Sequence, residues 1–410
     1  MSQDLQRSLA QGPITAFQLT VIALCVGLNM LDGFDVLAMS FAASGVKADW
    51  RLLDSQLGAL LSAGLVGMGL GSLTLGPCAD RWGRRIIVLL SVALAGLGML
   101  SSALARDYAE LLVLRVLTGI GIGGTIASVA VIVSEYAPDK LRGTALAIYA
   151  TGYSIGATIG GALAAYAIPR YGWRAAFVIG GTLSLLMLPL AWRKLPESLD
   201  FLLTRNPPSG LRPSVGSQLR LLMKPATALV WIVVFCTMAG FYFILSWTPR
   251  LLNAAGLSAG QGMTGGVLLN LGGIAGCGLF AFAAARADTH RLLLGALIGS
   301  ALLIVAFGLA MSRLDIALWT ALLLGIIANA AMAGLYAVGP PLYPTAVRTT
   351  GMGWAIGIGR FGAILAPLAS GALLDRGWLP AQLYFFFSAT FLVAAVAISF
   401  IGPARDRATV

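Results

Sequence analysis

The chain has 410 residues, of which 58% are hydrophobic and only 10% are charged, whereas roughly a quarter of the residues in soluble domains are charged. A soluble protein of this length needs far more charge to cover its surface, so the composition excludes a soluble enzyme. The hydrophobic residues occur in blocks of about 20, the length that a helix needs to cross a bilayer. A β-barrel would instead alternate polar and apolar residues over segments of about 10, and that pattern is absent from the sequence.

The net charge of +11 does not indicate a nucleic acid partner, because the basic residues lie in short loops between apolar blocks, as the positive-inside rule describes. No small-residue cleavage site follows the first apolar block, so we expect a retained helix rather than a signal peptide. The four cysteines have no paired spacing and predict neither a metal site nor a disulfide framework.

Twelve apolar blocks follow one another along the chain. The first six predicted helices span about 17–44, 55–75, 86–105, 109–135, 143–168 and 173–194. The other six span about 226–249, 262–285, 292–311, 316–338, 348–373 and 381–402. A polar, proline-rich stretch lies between the two sets. The sequence therefore predicts an all-α integral membrane protein with an N-terminal six-helix half over 1–194, a cytoplasmic linker over 195–225 and a C-terminal six-helix half over 226–410.

The positions of the Lys and Arg residues predict how the helices are oriented in the membrane, and an internal repeat predicts the division into two halves. If the N-terminus is cytoplasmic, 17 of the 27 Lys and Arg residues fall inside and 8 outside, so both termini are expected in the cytoplasm. The remaining two, Arg115 and Arg360, lie within predicted helices. Arg142 precedes Gly156 by 14 residues, and Arg348 precedes Gly362 by the same 14, an offset of 206 residues. Parallel repeats of six helices are typical of major-facilitator transporters.

The segment between the second and third predicted helices supports this interpretation. It resembles the signature loop of the major facilitator superfamily, G-x-x-x-D-R-x-G-R-R, through Gly76, Asp80, Arg81, Gly83, Arg84 and Arg85. The resemblance implies a gating role, in which Asp80 pairs with cytoplasmic arginines and the glycines allow tight turns. We assign Glu135 and Arg142, beside the next cytoplasmic loop, to the same gate. The alternative is a plain positive-inside loop. The second half carries only a degraded copy, at 286–291.

Two carboxylates, Asp32 and Asp35, lie inside the first predicted helix. An unpaired charge in the membrane costs several kcal/mol, so such residues indicate function. Burial favours the protonated form of a carboxylic acid. The only histidine, His290, lies in a loop, and we therefore predict that one of the two aspartates carries a proton. Alternatively, Asp35 is solvated at the outer mouth, or Asp32 only balances an arginine.

Arg115 in the fourth predicted helix is the expected partner of Asp32. Asp32 lies roughly 22 Å along its helix from the inner side, at 1.5 Å per residue, and Arg115 lies close to the outer side. Both residues thus have a similar depth, and we predict a salt bridge that breaks on protonation or on arrival of substrate. A purely structural ion pair is the alternative.

Arg360 lies roughly 18 Å into the eleventh predicted helix, near the middle of the bilayer. Asp315 and Asp375 lie outside the membrane or at its outer edge, so no acidic residue of the second half is placed to pair with Arg360. A substrate carboxylate suits the forked donors of a guanidinium. Arg360 is therefore the main predicted substrate-binding residue, and Arg115 is the second. Alternatively, backbone carbonyls and water accept the hydrogen bonds of the Arg360 guanidinium.

Several runs together resemble the aromatic acid:proton symporters, of the bacterial 4-hydroxybenzoate/protocatechuate type. They are Asp32-Gly-Phe-Asp35, Arg115-Val-Leu-Thr-Gly119-Ile-Gly121, Pro196-Glu197-Ser198 and Gly359-Arg360-Phe361-Gly362. The resemblance covers nearly the whole chain. It implies proton-coupled uptake of a benzoate-like acid across the bacterial inner membrane, driven by the proton gradient without a cofactor or metal. We expect the carrier to work as a monomer in the bilayer.

Aromatic and amide side chains near the expected cavity favour a ring-shaped substrate, although most aromatic residues in membrane helices only pack or anchor interfaces. The predicted substrate contacts are Phe34, Tyr153, Tyr242, Trp247, Asn270, Asn329 and Trp354. A carrier of a non-aromatic carboxylate, such as muconate or a dicarboxylate, would use the same arginines. A drug/proton exporter is less consistent with Arg360. A membrane receptor or integral enzyme is the last alternative, and the sequence has no signalling domain, metal cluster or nucleophile triad to support it.

Overall fold

A computed structural model describes residues 12–203, 225–339, 342 and 348–401 of the chain. Its first six long helices are α1 Ala16–Trp50, α2 Asp54–Trp82, α3 Arg84–Ala103, α4 Tyr108–Tyr136, α5 Arg142–Tyr171 and α6 Arg174–Lys194. A short helix, Leu199–Leu203, follows α6. The other six are α7 Pro225–Ala254, α8 Ala259–Ala284, α9 Thr289–Ala310, α10 Leu314–Val338, α11 Arg348–Asp375 and α12 Pro380–Ser399.

These twelve described helices are long and apolar enough to cross a membrane, so the chain is a multi-pass membrane protein, and the predicted all-α architecture is confirmed. Several helices are longer than predicted, and the first two differ most at their C-terminal ends. The first continues to Trp50 and the second to Trp82. Most of the predicted linker lies outside the described residues.

The chain divides into two compact units. Unit 1 comprises Met1–Arg51 and Ala63–Ser209, and unit 2 comprises Leu52–Ser62 and Gly210–Val410. The N-terminal part of α2 thus belongs to unit 2 and its remainder to unit 1. The division at 194 and 225 that the sequence predicts stays a prediction, because the boundary falls largely outside the described residues.

Unit 1 is held together by helices whose backbones touch. A Cβ atom added to Gly156 of α5 would lie 1.8 Å from the carbonyl oxygen of Met30 in α1, and one added to Gly33 would lie 2.1 Å from that of Tyr153. Lipid tails are as apolar as the helices, so packing at close range replaces the hydrophobic driving force of a soluble core. The glycines therefore determine how closely α1 and α5 approach.

Unit 2 uses the same device between α8 and α10. Added Cβ atoms at Gly276 and Gly325 would lie 2.0 Å and 2.1 Å from the carbonyl oxygens of Ile326 and Leu269. The N-terminal part of α2 packs on α11 in the same unit, where the Asp375 carboxylate accepts hydrogen bonds from the first backbone N–H groups of α2, at 2.8 Å and 2.9 Å. A carboxylate at this position stabilises a helix N-terminus.

The close approach of α1 and α5 generates a prediction. We expect Gly156→Ala to lower the melting temperature of the purified protein, because its new methyl group would collide with the Met30 carbonyl and overpacking costs about 1–3 kcal/mol. Gly143→Ala in the same helix is the matched control, since a Cβ there meets open space. Thermal unfolding in detergent measures both variants, and equal melting temperatures would contradict the contact.

Candidate functional site

A cluster of three ionisable side chains lies in the interior of unit 1. Asp32 and Asp35 come from α1 and Arg115 from α4, and all three are buried. The apolar neighbours on both helices make this burial costly, since a charged group loses its hydration there. The structure therefore confirms that these residues lie among helices rather than at a solvated mouth, including Asp35.

The sequence predicts Asp32 as the partner of Arg115, but the structure places Arg115 against Asp35 instead. Its Nη2 donates to the backbone oxygen of Asp35 at 3.0 Å and its Nη1 to the sulfur of Met99 at 3.1 Å. The guanidinium also lies 5.6 Å from the ring centre of Phe177, within cation–π range. Asp35 lies about 4.5 Å further along α1 than Asp32, which brings its backbone to the depth of Arg115.

The two carboxylates differ in what surrounds them. The charged groups that act on Asp35 include the Arg115 guanidinium, whereas the charged neighbour of Asp32 is Asp35 itself. Asp32 Oδ2 and Asp35 Oδ1 are buried and have no hydrogen-bond partner among the described residues. Buried polar atoms without partners are rare and often mark functional sites. The cluster thus holds two carboxylates and one guanidinium, and one oxygen of each carboxylate accepts no hydrogen bond from the described residues.

Phe34 packs inside unit 1, and its predicted contact with a substrate stays a prediction. It is buried, and its ring fills the space beside Gly160 and Gly180, where added Cβ atoms would lie 2.1 Å and 3.2 Å from it. Tyr153 on α5 is partly buried, and its contact with a substrate stays a prediction.

Arg360 lies on α11 in unit 2 and is partly buried. Its Nη1 is shielded from solvent and has no hydrogen-bond partner among the described residues. The side chain of Tyr336 on α10 is near both Arg360 and Tyr242 of α7. The described part of unit 2 thus places the Arg360 guanidinium near the Tyr336 phenol, and the lack of an acidic partner for Arg360 stays a prediction.

The other residues predicted to contact substrate have different surroundings. Trp247 is fully buried and its indole N–H donates to the Pro367 carbonyl at 3.3 Å, so it belongs to the core of unit 2, and its contact with a substrate stays a prediction. Trp354 is 54% exposed and stacks on Trp231 with ring centres 6.4 Å apart. Its contact with a substrate stays a prediction.

Both predicted asparagines are bonded within their own helices. The Asn270 amide donates to the Gly266 carbonyl at 2.9 Å, and the Asn329 amide donates to Gly325 at 3.0 Å. Each of these bonds uses one N–H of the amide. The other N–H and the side-chain oxygen of the same amide take no part in it. Their substrate contacts stay predictions.

The signature segment is more helical than we predicted. It continues α2 through Trp82, so Gly76, Asp80 and Arg81 are helical residues rather than loop residues. Gly83 alone separates α2 from α3, with φ at 102°, a left-handed conformation that favours glycine. An added Cβ at Gly83 would also lie 2.4 Å from a carboxylate oxygen of Glu197. Both constraints require glycine there.

Glu197 organises this end of unit 1, although we did not assign it a role. Its Oε1 accepts hydrogen bonds from the backbone N–H groups of Arg84 at 2.7 Å and Arg85 at 3.1 Å, which caps the N-terminus of α3. The neighbouring Glu135 accepts from the Ser198 hydroxyl and the Leu199 N–H. The sequence carries one signal for Glu197, its position in Pro196-Glu197-Ser198 directly after the sixth predicted helix.

The remaining predicted gate residues divide into two groups. Arg84 lies between Asp80 at 3.3 Å and Glu135 at 3.8 Å, and Arg85 donates to the Trp192 carbonyl at 2.5 Å, so these join the Glu197 cluster. Arg142 instead pairs with Asp139 at 2.7 Å on the surface. The gating role of all of them stays a prediction. Within the described ranges, His, Cys, Asp and Glu side chains form no group of three that could hold a metal ion.

Comparison with known proteins places the chain among transporters. Residues 22–367 match the Major Facilitator Superfamily. The gallate transporter of Pseudomonas putida is 34% identical, over 99% of this chain and 96% of that protein. The 4-hydroxybenzoate transporter PcaK of Pseudomonas putida is 32% identical, over 92% and 91% of the two chains. The 3-(3-hydroxy-phenyl)propionate transporter of Escherichia coli is 32% identical, over 94% of each.

Solved structures share the fold at low sequence identity. The xylose transporter XylE from E. coli has a TM-score of 0.79 and 17% identity, and the match covers 94% of this chain and 96% of that chain. A bacterial homolog to the human lysosomal transporter Spinster has a TM-score of 0.74 and 19% identity, over 95% and 97% of the two chains. These matches show the architecture, whereas the chemistry depends on the side chains above.

The Glu197 cap generates a prediction. We expect Glu197→Ala to lower the free energy of unfolding by about 1 kcal/mol, since it removes a carboxylate cap from α3. Asp80→Ala is the matched control, because the Asp80 side chain is 72% exposed and surface ion pairs contribute little. Thermal unfolding of the two variants measures the difference. Equal destabilisation would contradict the cap.

Proposed function

The chain belongs to the Major Facilitator Superfamily, and from that premise we propose that it is a proton-coupled symporter that imports an aromatic carboxylate, such as a hydroxybenzoate, by alternating access. The main observation in favour of a carboxylate substrate is the Arg360 guanidinium. Its Nη1 is shielded from solvent and has no hydrogen-bond partner among the described residues. We place the carrier in a bacterial inner membrane with both termini in the cytoplasm, acting as a monomer.

Arg360 is suited to hold the carboxylate of such a substrate. A guanidinium offers two parallel donors that match the two oxygens of a carboxylate, and Nη1 of Arg360 lacks a partner among the described residues. The phenol group of Tyr336 near it can exchange hydrogen bonds with a hydroxyl on the ligand. The relatives named for gallate, 4-hydroxybenzoate and 3-(3-hydroxy-phenyl)propionate support a ring that carries both groups.

Asp32 is the better proton carrier of the two aspartates. When both carboxylates are ionised, the cluster of Asp32, Asp35 and Arg115 carries one net negative charge, and one bound proton makes it neutral. The Arg115 guanidinium is hydrogen-bonded to the Asp35 backbone, so a negative charge on Asp35 has a cation close by, whereas a negative charge on Asp32 adds to that of Asp35 one turn away. The proton therefore belongs on Asp32, and the neutral cluster is the form that costs least inside the membrane.

The substrate class is tested by uptake into proteoliposomes. We expect labelled 4-hydroxybenzoate to accumulate under an inward proton gradient and to be displaced by other hydroxybenzoates but not by muconate or succinate. Arg360→Ala should raise KM roughly tenfold or more, because a charge-assisted hydrogen bond contributes about 1.5–3 kcal/mol. Arg313→Ala, which removes an exposed arginine, is the control. Displacement by aliphatic acids alone would reject the aromatic substrate, and an unchanged KM would reject the clamp.

The proton assignment is tested by comparing accumulation with exchange. We expect Asp32→Asn to lose accumulation driven by the proton gradient and to retain exchange of labelled for unlabelled substrate, because the neutral amide mimics the protonated acid. Asp35→Asn removes the negative charge that acts on the buried Arg115 guanidinium, and a buried charge without compensation is destabilising, so its melting temperature and both activities should fall. If Asp32→Asn accumulates substrate as well as the parent protein does, Asp32 is not the carrier.

A further inference from the structure

A groove on unit 1 lies where α5 ends and α6 begins, apart from the buried cluster of Asp32, Asp35 and Arg115. It encloses about 460 Å³, within the range of small-molecule sites. Its walls are apolar along most of their length, through Leu163, Ala167, Val178 and Ile179. These walls belong to membrane-spanning helices. In a bilayer the groove therefore opens to lipid rather than to water.

The end of the groove at the α5–α6 connection is aromatic and basic. Tyr166, Tyr171 and Arg174 line it, and the Tyr171 side chain is 74% exposed. Arg170 stacks on the Tyr166 ring at 3.9 Å and donates to the Tyr166 carbonyl. Tyrosine and arginine at the end of a membrane helix lie at the level of the lipid headgroups.

Arg174 is held in place without using all of its donors. Its guanidinium lies 4.4 Å above the Trp173 ring, donates from Nη2 to the Ala105 carbonyl at 3.3 Å, and has Nη1 3.6 Å from Asp49. A guanidinium has five N–H donors, so others remain for a ligand. The side chain is 44% exposed, and one end of the groove thus presents a positioned cation.

The equivalent positions of the second repeat do not carry the same set of tyrosines and arginines as this end of the groove. At the offset of 206 residues, Arg376 corresponds to Arg170, but Ala372, Gly377 and Pro380 take the places of Tyr166, Tyr171 and Arg174. The second copy keeps one arginine and lacks both tyrosines and the second cation. The aromatic and basic end is therefore specific to unit 1.

We propose that this groove binds one glycerophospholipid, with an acyl chain along the apolar walls and the phosphate beside Arg174 and Arg170. A phosphodiester is the anion that the bilayer supplies at this depth, and arginine binds phosphate through paired donors. The tyrosines provide amphipathic rings at the same level, with hydroxyl groups able to donate to the phosphate. The match of charge and polarity along the groove selects this occupant over a free ion or a second protein.

The proposal is independent of the transport assignment and is tested by lipid binding to the detergent-solubilised full chain. Native mass spectrometry would be used to titrate phosphatidylglycerol, phosphatidylethanolamine and diacylglycerol. We expect both phospholipids to bind and diacylglycerol, which lacks the phosphate, to bind at least tenfold more weakly. Arg174→Ala should weaken phospholipid binding about tenfold, the loss expected for one charge-assisted contact, and Arg174→Lys should lose less.

Two further variants distinguish a loss of lipid binding at the groove from a loss of folding. Ala175→Trp would fill the groove without removing the contacts of Arg174 to Asp49 and Ala105, so it should weaken phospholipid binding at least as much as Arg174→Ala does, while the melting temperature stays that of the parent. Arg376→Ala is the control, since it removes the exposed arginine at the repeat-equivalent position. The proposal is overturned if Arg174→Ala and Ala175→Trp bind phospholipid as the parent does, if Arg376→Ala weakens binding equally, or if diacylglycerol binds as well as phospholipid.

Discussion

Arg115 puts a full positive charge inside a unit made almost entirely of apolar helices. It is tolerated because α1 supplies the Asp35 backbone oxygen at 3.0 Å together with a carboxylate, and because Met99 and Phe177 cover the rest of the guanidinium. Such a group holds two helices in one register, since a shift of a single turn would leave a buried charge without compensation. Asp32 lies one turn away on α1, and among the described residues no cation is paired with it, so we propose it as the part of the cluster that changes charge.

Glycine makes this arrangement possible. α1 carries Asp32 and Asp35 and lies against α5 at backbone contact, through Gly33 and Gly156. Helices this close leave no room for water between them, and an electrostatic interaction there is stronger than in solvent. The same property that binds the helices together therefore makes protonation of one carboxylate a large perturbation.

The two halves of the sequence repeat in their helices but not in their charges. At the repeat offset, Ala321 corresponds to Arg115 and Ser154 corresponds to Arg360. Unit 1 alone thus has the buried cation with its two carboxylates, and unit 2 has Arg360, whose Nη1 is shielded and has no hydrogen-bond partner among the described residues. Repetition supplies two similar scaffolds, and single substitutions give one of them the proton chemistry and the other the anion chemistry that we propose.

The sequence by itself determined the membrane class, the number of helices and most of their limits, because apolar blocks of fixed length have few other solutions in a bilayer. It also identified Arg360 and the aspartates, since charges inside apolar blocks are rare. Only the tertiary structure decided that Arg115 faces Asp35, that Trp247 and Phe34 are buried, and that Glu197 caps a helix more than a hundred residues earlier. A membrane helix is apolar on its lipid face and on its packed face alike. The pattern of residues therefore cannot show which way a side chain points, and packing against the neighbouring helices determines it.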